Sequence, residues 1–137
     1  MRYEKEFNSE SYNVPEFLKQ WEDCSWHNDV CPRFENIDLG IAVWVDTVDL
    51  AEREYDDWAQ YTVVGIVSID NRERTELLDD TLFATEDQKK LEHWIAFYTL
   101  KDNLEDTFAI AGQYSESIAD VLAGLIAETQ EAMDELK

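Results

Sequence analysis

Two runs of β-branched and aromatic residues, Leu39–Val45 and Tyr61–Ile69, are separated by a strongly acidic stretch from Asp46 to Gln60. Alternation at a period of two, with enrichment in Val, Ile, Trp and Tyr, defines both as strands and makes residues 38–70 the expected sheet nucleus. In the first run Leu39, Ile41, Val43 and Val45 share one face while Ala42 and Trp44 share the other. Both faces are therefore apolar at its centre, as in a strand that is interior or covered on its second side. In the second run Tyr61, Val63, Gly65, Val67 and Ile69 alternate with Thr62, Val64, Ile66 and Ser68. The expected pairing is antiparallel; the 15-residue connector forms either an extended hairpin or a helical turn, and the lack of a clean helical stripe favours a long hairpin whose arms continue to about Leu50 and resume at Tyr55.

The flanking segments read mostly as helices. Met1 to Tyr12 mixes charges with isolated aromatics, as an edge strand or an ordered arm would. Asn13 caps and Pro15 opens a short amphipathic helix with Val14, Phe17, Leu18 and Trp21 on one side. It is expected to stop near Cys24, with Ser25 to Pro32 an irregular loop. Asp70–Asn71 reads as a turn before Arg72 and Arg74, and Thr75 to Phe83 as a short strand or a helical turn. Thr85-Glu-Asp-Gln88 is a capping box for a helix to about Leu100 that buries Leu91, Trp94, Ile95 and Tyr98, with His93 partly buried and hydrogen-bonded beside them. A second helix is expected from Asn103 to Tyr114, broken at Gly112. The last helix, capped by Ser117, carries Ile118, Val121, Leu122, Leu125, Ile126, Thr129, Met133 and Leu136 on one side. The fold class expected is α+β: a small antiparallel sheet built on a central hairpin (about 38–70), flanking helices, and a long amphipathic C-terminal helix.

At 137 residues, residues 1–137 are expected to form a single acidic globular domain that folds without disulfide or metal staples. Five Trp, six Tyr and six Phe are far too many for a disordered acidic tail. The N-terminal residues lack the apolar core of a secretory signal, and no apolar run approaches the roughly 20 residues of a membrane span. The expected location is cytoplasmic, with no membrane partner and with reduced thiols.

One loop holds residues of metal-binding type: Cys24, His27 and Cys31, with Asp29 between them. Thiolate and imidazole suit zinc, but the paired Cys-x-x-Cys halves are missing and the only further ligands are Asp29 or the distant His93. A Cys–His nucleophile would lack an orienting third group and oxyanion donors. The plain reading packs Trp26 and the thiols beneath the loop, with His27 near the surface. Asp56–Asp57 and Asp79–Asp80 are poor acid/base pairs, because sequence neighbours do not face one another. No enzyme and no cofactor is expected.

What remains is the charge. Against 32 acids stand 11 bases, for a net charge of −21. Two blocks concentrate it: residues 35–70 and 102–137 each hold nine acids and one base. In the first, Asp46, Asp49, Glu52, Glu54, Asp56 and Asp57 surround Arg53, with Tyr55 and Trp58 as candidate aromatic anchors. In the second, Glu116, Asp120, Glu128, Glu131, Asp134 and Glu135 fall within an arc of roughly 120° of the last helix, opposite its apolar side. Such a field repels nucleic acid and attracts basic surfaces, so direct nucleic-acid binding is not expected. Carboxylates one helical turn apart rise by roughly 5–6 Å, on the scale of successive phosphates. In size and charge, though in no motif, the chain resembles small acidic inhibitors of phages and plasmids, including anti-restriction and anti-CRISPR proteins, and immunity proteins against nucleases. The likeness implies a partner that is a basic nucleic-acid-binding protein, blocked by mimicry. An acidic adaptor or assembly chaperone, and a salt-adapted protein with no mimicry role, are the alternatives.

Overall fold

The computed structural model describes residues 2–55, 57–69 and 74–137, with Arg74 and Asp79 described by their backbone alone. Packing divides the chain into two compact units, Met1–Gln88 and Lys89–Lys137. The fold is α+β. Five strands form an antiparallel sheet in sequence order: β1 (Glu22–Asp23), β2 (Arg33–Asn36), β3 (Ile41–Val45), β4 (Tyr61–Ile69) and β5 (Arg74–Thr85). The expected central hairpin is present as β3 and β4, in a register that sets Val43 against Val63 and Val45 against Tyr61. Leu39 belongs to the preceding turn instead of the strand. There Gly40 takes a φ of 69° and donates its N–H to Ile37 O at 3.1 Å, a left-handed conformation that a side chain would strain.

Strand alternation sorts the sheet into two apolar faces. Ile41, Val43, Val45, Tyr61, Val63 and Phe83 are buried on the first. The N-terminal arm lies on it: the Tyr3 ring meets Phe34 edge-on at 5.6 Å, and Tyr61 OH donates to Asn13 O at 2.9 Å. That arm is helical at α1 (Arg2–Glu6), not an edge strand. The segment after Pro15 is a 3-10 helix, Glu16–Gln20, in place of the expected α-helix. Its bonds run from Leu18 N to Pro15 O and from Trp21 N to Leu18 O. The tight turn buries Leu18 and delivers the chain at once into β1, which leaves no room for a second turn.

On the second face Ala42, Val64 and Ile66 form a smaller buried cluster with Ile37, Trp44 and Leu77 packed against it. Thr75 Oγ1 donates to Glu35 Oε1 at 2.7 Å, joining β5 to β2. Those strands are three positions apart in the sheet, roughly 14 Å if it were flat, so the sheet curls over this face. The stretch from Thr75 to Phe83 is strand, and β5 bulges against β4. While β4 advances from Val63 to Val64 to Ile66, its partners step from Phe83 to Thr81 to Leu77. The expected turn at Asp70–Asn71, and Arg72, lie outside the described residues.

The second unit is helical. The helix α2 (Gln88–Ala111) is one continuous element, not two. Lys101 Nζ meets Glu105 Oε1 at 3.5 Å across the expected break, and Thr107 Oγ1 donates to Asn103 O. Leu91, Trp94 and Ile95 are buried and Trp94 stacks on Tyr98 at 5.0 Å. His93 is exposed, not partly buried, because it points well away from that stripe on the helical wheel. Thr85 ends β5, where its Oγ1 accepts from Asp87 N, so the capping box does not form as expected. After Ala111 a short turn through Gly112 leads to α3 (Glu116–Glu135). Its cap is Ser115 and not Ser117: Ser115 Oγ accepts from Ile118 N, while Ser115 N donates to Ala111 O at 2.8 Å. Among the described residues no helix is long and apolar enough to cross a membrane.

Candidate partner-binding surfaces

The acidic connector is built around its single base. Backbone bonding closes the connector at its root, where Asp46 N donates to Gln60 O at 2.7 Å. Beyond it the chain makes no extended hairpin arms. Asp49 Oδ1 accepts from Ala51 N and caps a 3-10 turn, Leu50–Glu52. Arg53 then folds inward, 5% exposed. Its Nε donates to Thr47 O at 2.9 Å and its Nη1 to Trp58 O at 2.8 Å. Its fork holds the Glu86 carboxylate at 2.8 and 3.0 Å, and Glu86 Oε2 also accepts from Gln60 N at 2.7 Å. Five donors in a fixed plane allow one guanidinium to tie two carbonyls and a carboxylate together. The Arg53 guanidinium holds the Glu86 carboxyl below its ordinary range.

This scaffold divides the six connector acids. Asp46 is buried, contrary to a place on the binding surface: Oδ1 accepts from Thr47 N at 2.8 Å and Oδ2 has no partner. Burial raises its carboxyl above the usual value. Asp49, Glu52, Glu54 and Asp57 are exposed, and none of them is paired with a cation among the described residues. Asp56 lies outside those residues. Tyr55 and Trp58 are exposed, with ring centroids 4.9 Å apart, and Val48 and Leu50 of the same connector are exposed too. The connector thus presents aromatic and apolar groups among free carboxylates.

On α3 all six predicted acids are exposed. Asp134 accepts from Gln130 at 3.0 Å and meets Lys137 at 3.5 Å, while Glu116, Asp120, Glu128, Glu131 and Glu135 have no cation partner among the described residues. The apolar side is only partly used. Ala119, Thr129 and Met133 are buried, whereas Ile118, Val121 and Leu125 are exposed. By helical geometry those three form a strip between the buried seam and the acidic row.

The cysteine loop offers no metal cluster. Cys31 is fully buried, Cys24 is half-buried, and His27 Nδ1 pairs with Glu6 Oε2 at 2.8 Å. Burial raises both thiols, Cys24 to about 12, which keeps them protonated and poor nucleophiles. Trp26 is exposed instead of packed beneath the loop. Among the described residues no group of three or more His, Cys, Asp or Glu is placed to hold a metal ion.

A feature hidden in the sequence is a cleft of about 460 Å³ on the second face of the sheet. Trp44, Thr62 and Val64 line it from β3 and β4, Leu77 and Thr81 from β5, and Asp57 and Trp58 from the connector. It opens where β5 bulges away from β4, as bulges re-aim side chains and interrupt pairing. Opposite the bulge, Leu78 Cδ1 lies 3.0 Å from where a Cβ on Gly65 would stand, so that position admits no side chain without moving Leu78. The broken alternation of Leu77-Leu78-Asp79-Asp80-Thr81 is the sequence trace of this bulge. No protein-family model matches the chain, and no curated protein and no solved structure matches it either.

Proposed function

We propose that the protein binds and blocks a basic, nucleic-acid-handling protein, using the exposed carboxylates of the connector and of α3 in place of nucleic-acid phosphates. The observation that carries this reading is the row on α3: five exposed carboxylates with no cation partner among the described residues, on a rigid 20-residue helix. Unneutralised like charges destabilise a folded body, and a basic partner offsets that cost on binding. Glu128, Glu131 and Glu135 rise along the axis in steps of about 4.5 and 6 Å, comparable with the charge density of a nucleic-acid strand. The competing interaction reading, an adaptor or assembly chaperone, is favoured by the exposed strip Ile118, Val121 and Leu125.

The test is capture of partners from a nuclease-treated lysate, eluted separately by a salt gradient and by duplex DNA. Mimicry predicts basic nucleic-acid enzymes or repressors in both eluates. It also predicts that Glu128→Lys, Glu131→Lys and Glu135→Lys together weaken binding by about a hundredfold or more while circular dichroism stays unchanged. Partners that ignore salt and DNA but are lost on Val121→Gln would establish the adaptor reading instead.

A further inference from the structure

We infer that the cleft between the connector and the bulged β4–β5 ribbon receives an arginine side chain of that basic partner, an inference that rests on the proposed function. The chemistry of the walls selects the group. Trp44 and Trp58 supply indole rings, the surfaces on which a cation is best held. Asp57, exposed and without a cation partner among the described residues, supplies the countercharge. Thr62 and Thr81 supply hydroxyl acceptors. Val64 and Leu77 offer apolar surface to an aliphatic stem.

These features together favour a guanidinium over its competitors. A quaternary ammonium stacks on indole but has no N–H for the carboxylate and hydroxyls. A lysine ammonium donates, but it is compact and strongly hydrated and gains less from a plane of indole. Trp44 already pairs with one guanidinium, the Arg33 carbon lying 5.1 Å from its ring centroid, so an incoming arginine depends chiefly on Trp58. The cleft has the volume of an ordinary small-ligand site, and the field of a chain with net charge −21 concentrates cations at its mouth.

The probes are fluorescently labelled oligoarginine and oligolysine peptides of equal length, followed by anisotropy at fixed salt. The wild type is expected to bind oligoarginine several-fold more tightly than oligolysine. Trp58→Leu is expected to lower oligoarginine affinity several-fold, to about that of oligolysine, and to leave oligolysine unchanged. Only the Trp58 carbonyl serves the Arg53 scaffold, so this variant keeps its fold, which circular dichroism checks; Thr81→Val provides a second variant with a smaller loss of the same selectivity. Equal affinity for the two peptides, or a Trp58→Leu effect common to both, overturns the cleft as an arginine site. If the α3 charge reversal and added salt also leave both peptides bound as before, the proposed function fails with it. If those act while Trp58→Leu does not, the cleft alone is refuted.

Discussion

The connector and α3 hold six acids each, yet only the connector is folded around a cation of its own. In the connector, one buried guanidinium recruits Glu86 from beyond β5 and fixes two loop carbonyls, and Asp46 turns inward. Along α3, five carboxylates stand in solvent with no countercharge among the described residues. The difference shows that charge density does not by itself mark a surface as functional. Where a base lies inside an acidic block and its side chain is buried and bonded to the loop's own carbonyls, the block is partly architecture. Where acids repeat along a helix face without bases, as for Glu116, Asp120, Glu128, Glu131 and Glu135, no cation among the described residues pairs with them.

The strongest way to break this contrast is to remove the internal cation. Arg53→Met keeps the stem and deletes the guanidinium bonds to Thr47 O, Trp58 O and Glu86, leaving Glu86 only the Gln60 N–H. The two carbonyls left unpartnered are expected to cost about 3 kcal/mol in urea unfolding, while Glu86, solvent-exposed and still bonded to Gln60 N, adds little. The triple reversal on α3, which changes the net charge far more, is expected to move the same midpoint by no more than about 0.5 kcal/mol. Equal sensitivity of the two would mean that the α3 acids have structural partners after all.

The central hairpin was readable because its alternation is long and β-branched on both faces. Strands β1 and β2 were not: they are two and four residues long, charged, and Phe34 is their single large apolar residue. The inward turn of Asp46 was equally hidden. Strand β3 ends at Val45, so alternation no longer sets the side of Asp46, whose carboxylate instead accepts from Thr47 N in the turn that follows. The role of Arg53 had a signal, a lone base among acids, but its partner Glu86 lies 33 residues away. The six acids of α3 were legible because helical spacing alone sets their side; the exposure of Ile118, Val121 and Leu125 was not, since periodicity reports a face and not what covers it.

A smaller effect sharpens the description of α3. Two serines stand at its start, Ser115 just before the helix and Ser117 within its first turn, and only Ser115 accepts a bond there, from Ile118 N. Ser115→Ala is expected to cost about 1 kcal/mol in thermal or urea unfolding, and Ser117→Ala close to nothing. The reverse order would restore Ser117 as the cap and shift the helix start, which in turn would rotate the reading of where the acidic row begins.

The subtlest contrast lies around Arg53, between two carboxyls displaced in opposite directions, Asp46 of the connector and Glu86 from beyond β5. Burial raises Asp46 above its ordinary value of 3.8. Its favourable contribution is therefore complete below that pH and is lost as pH rises through the folded value. Arg53 depresses Glu86 below 4.5, so its contribution is present above that pH and lost as pH falls through the folded value. Asp46→Asn, which keeps an acceptor for Thr47 N and removes the charge, should stabilise the protein at neutral pH, with the gain closing on acidification. Glu86→Gln should do the opposite: a loss at neutral pH that closes in acid. Urea midpoints of the three proteins across pH 3–7 check both signs. A destabilised Asp46→Asn at neutral pH would show that the charged carboxylate supports Arg53 across the loop, and Asp46 would then join Glu86 as part of the clamp.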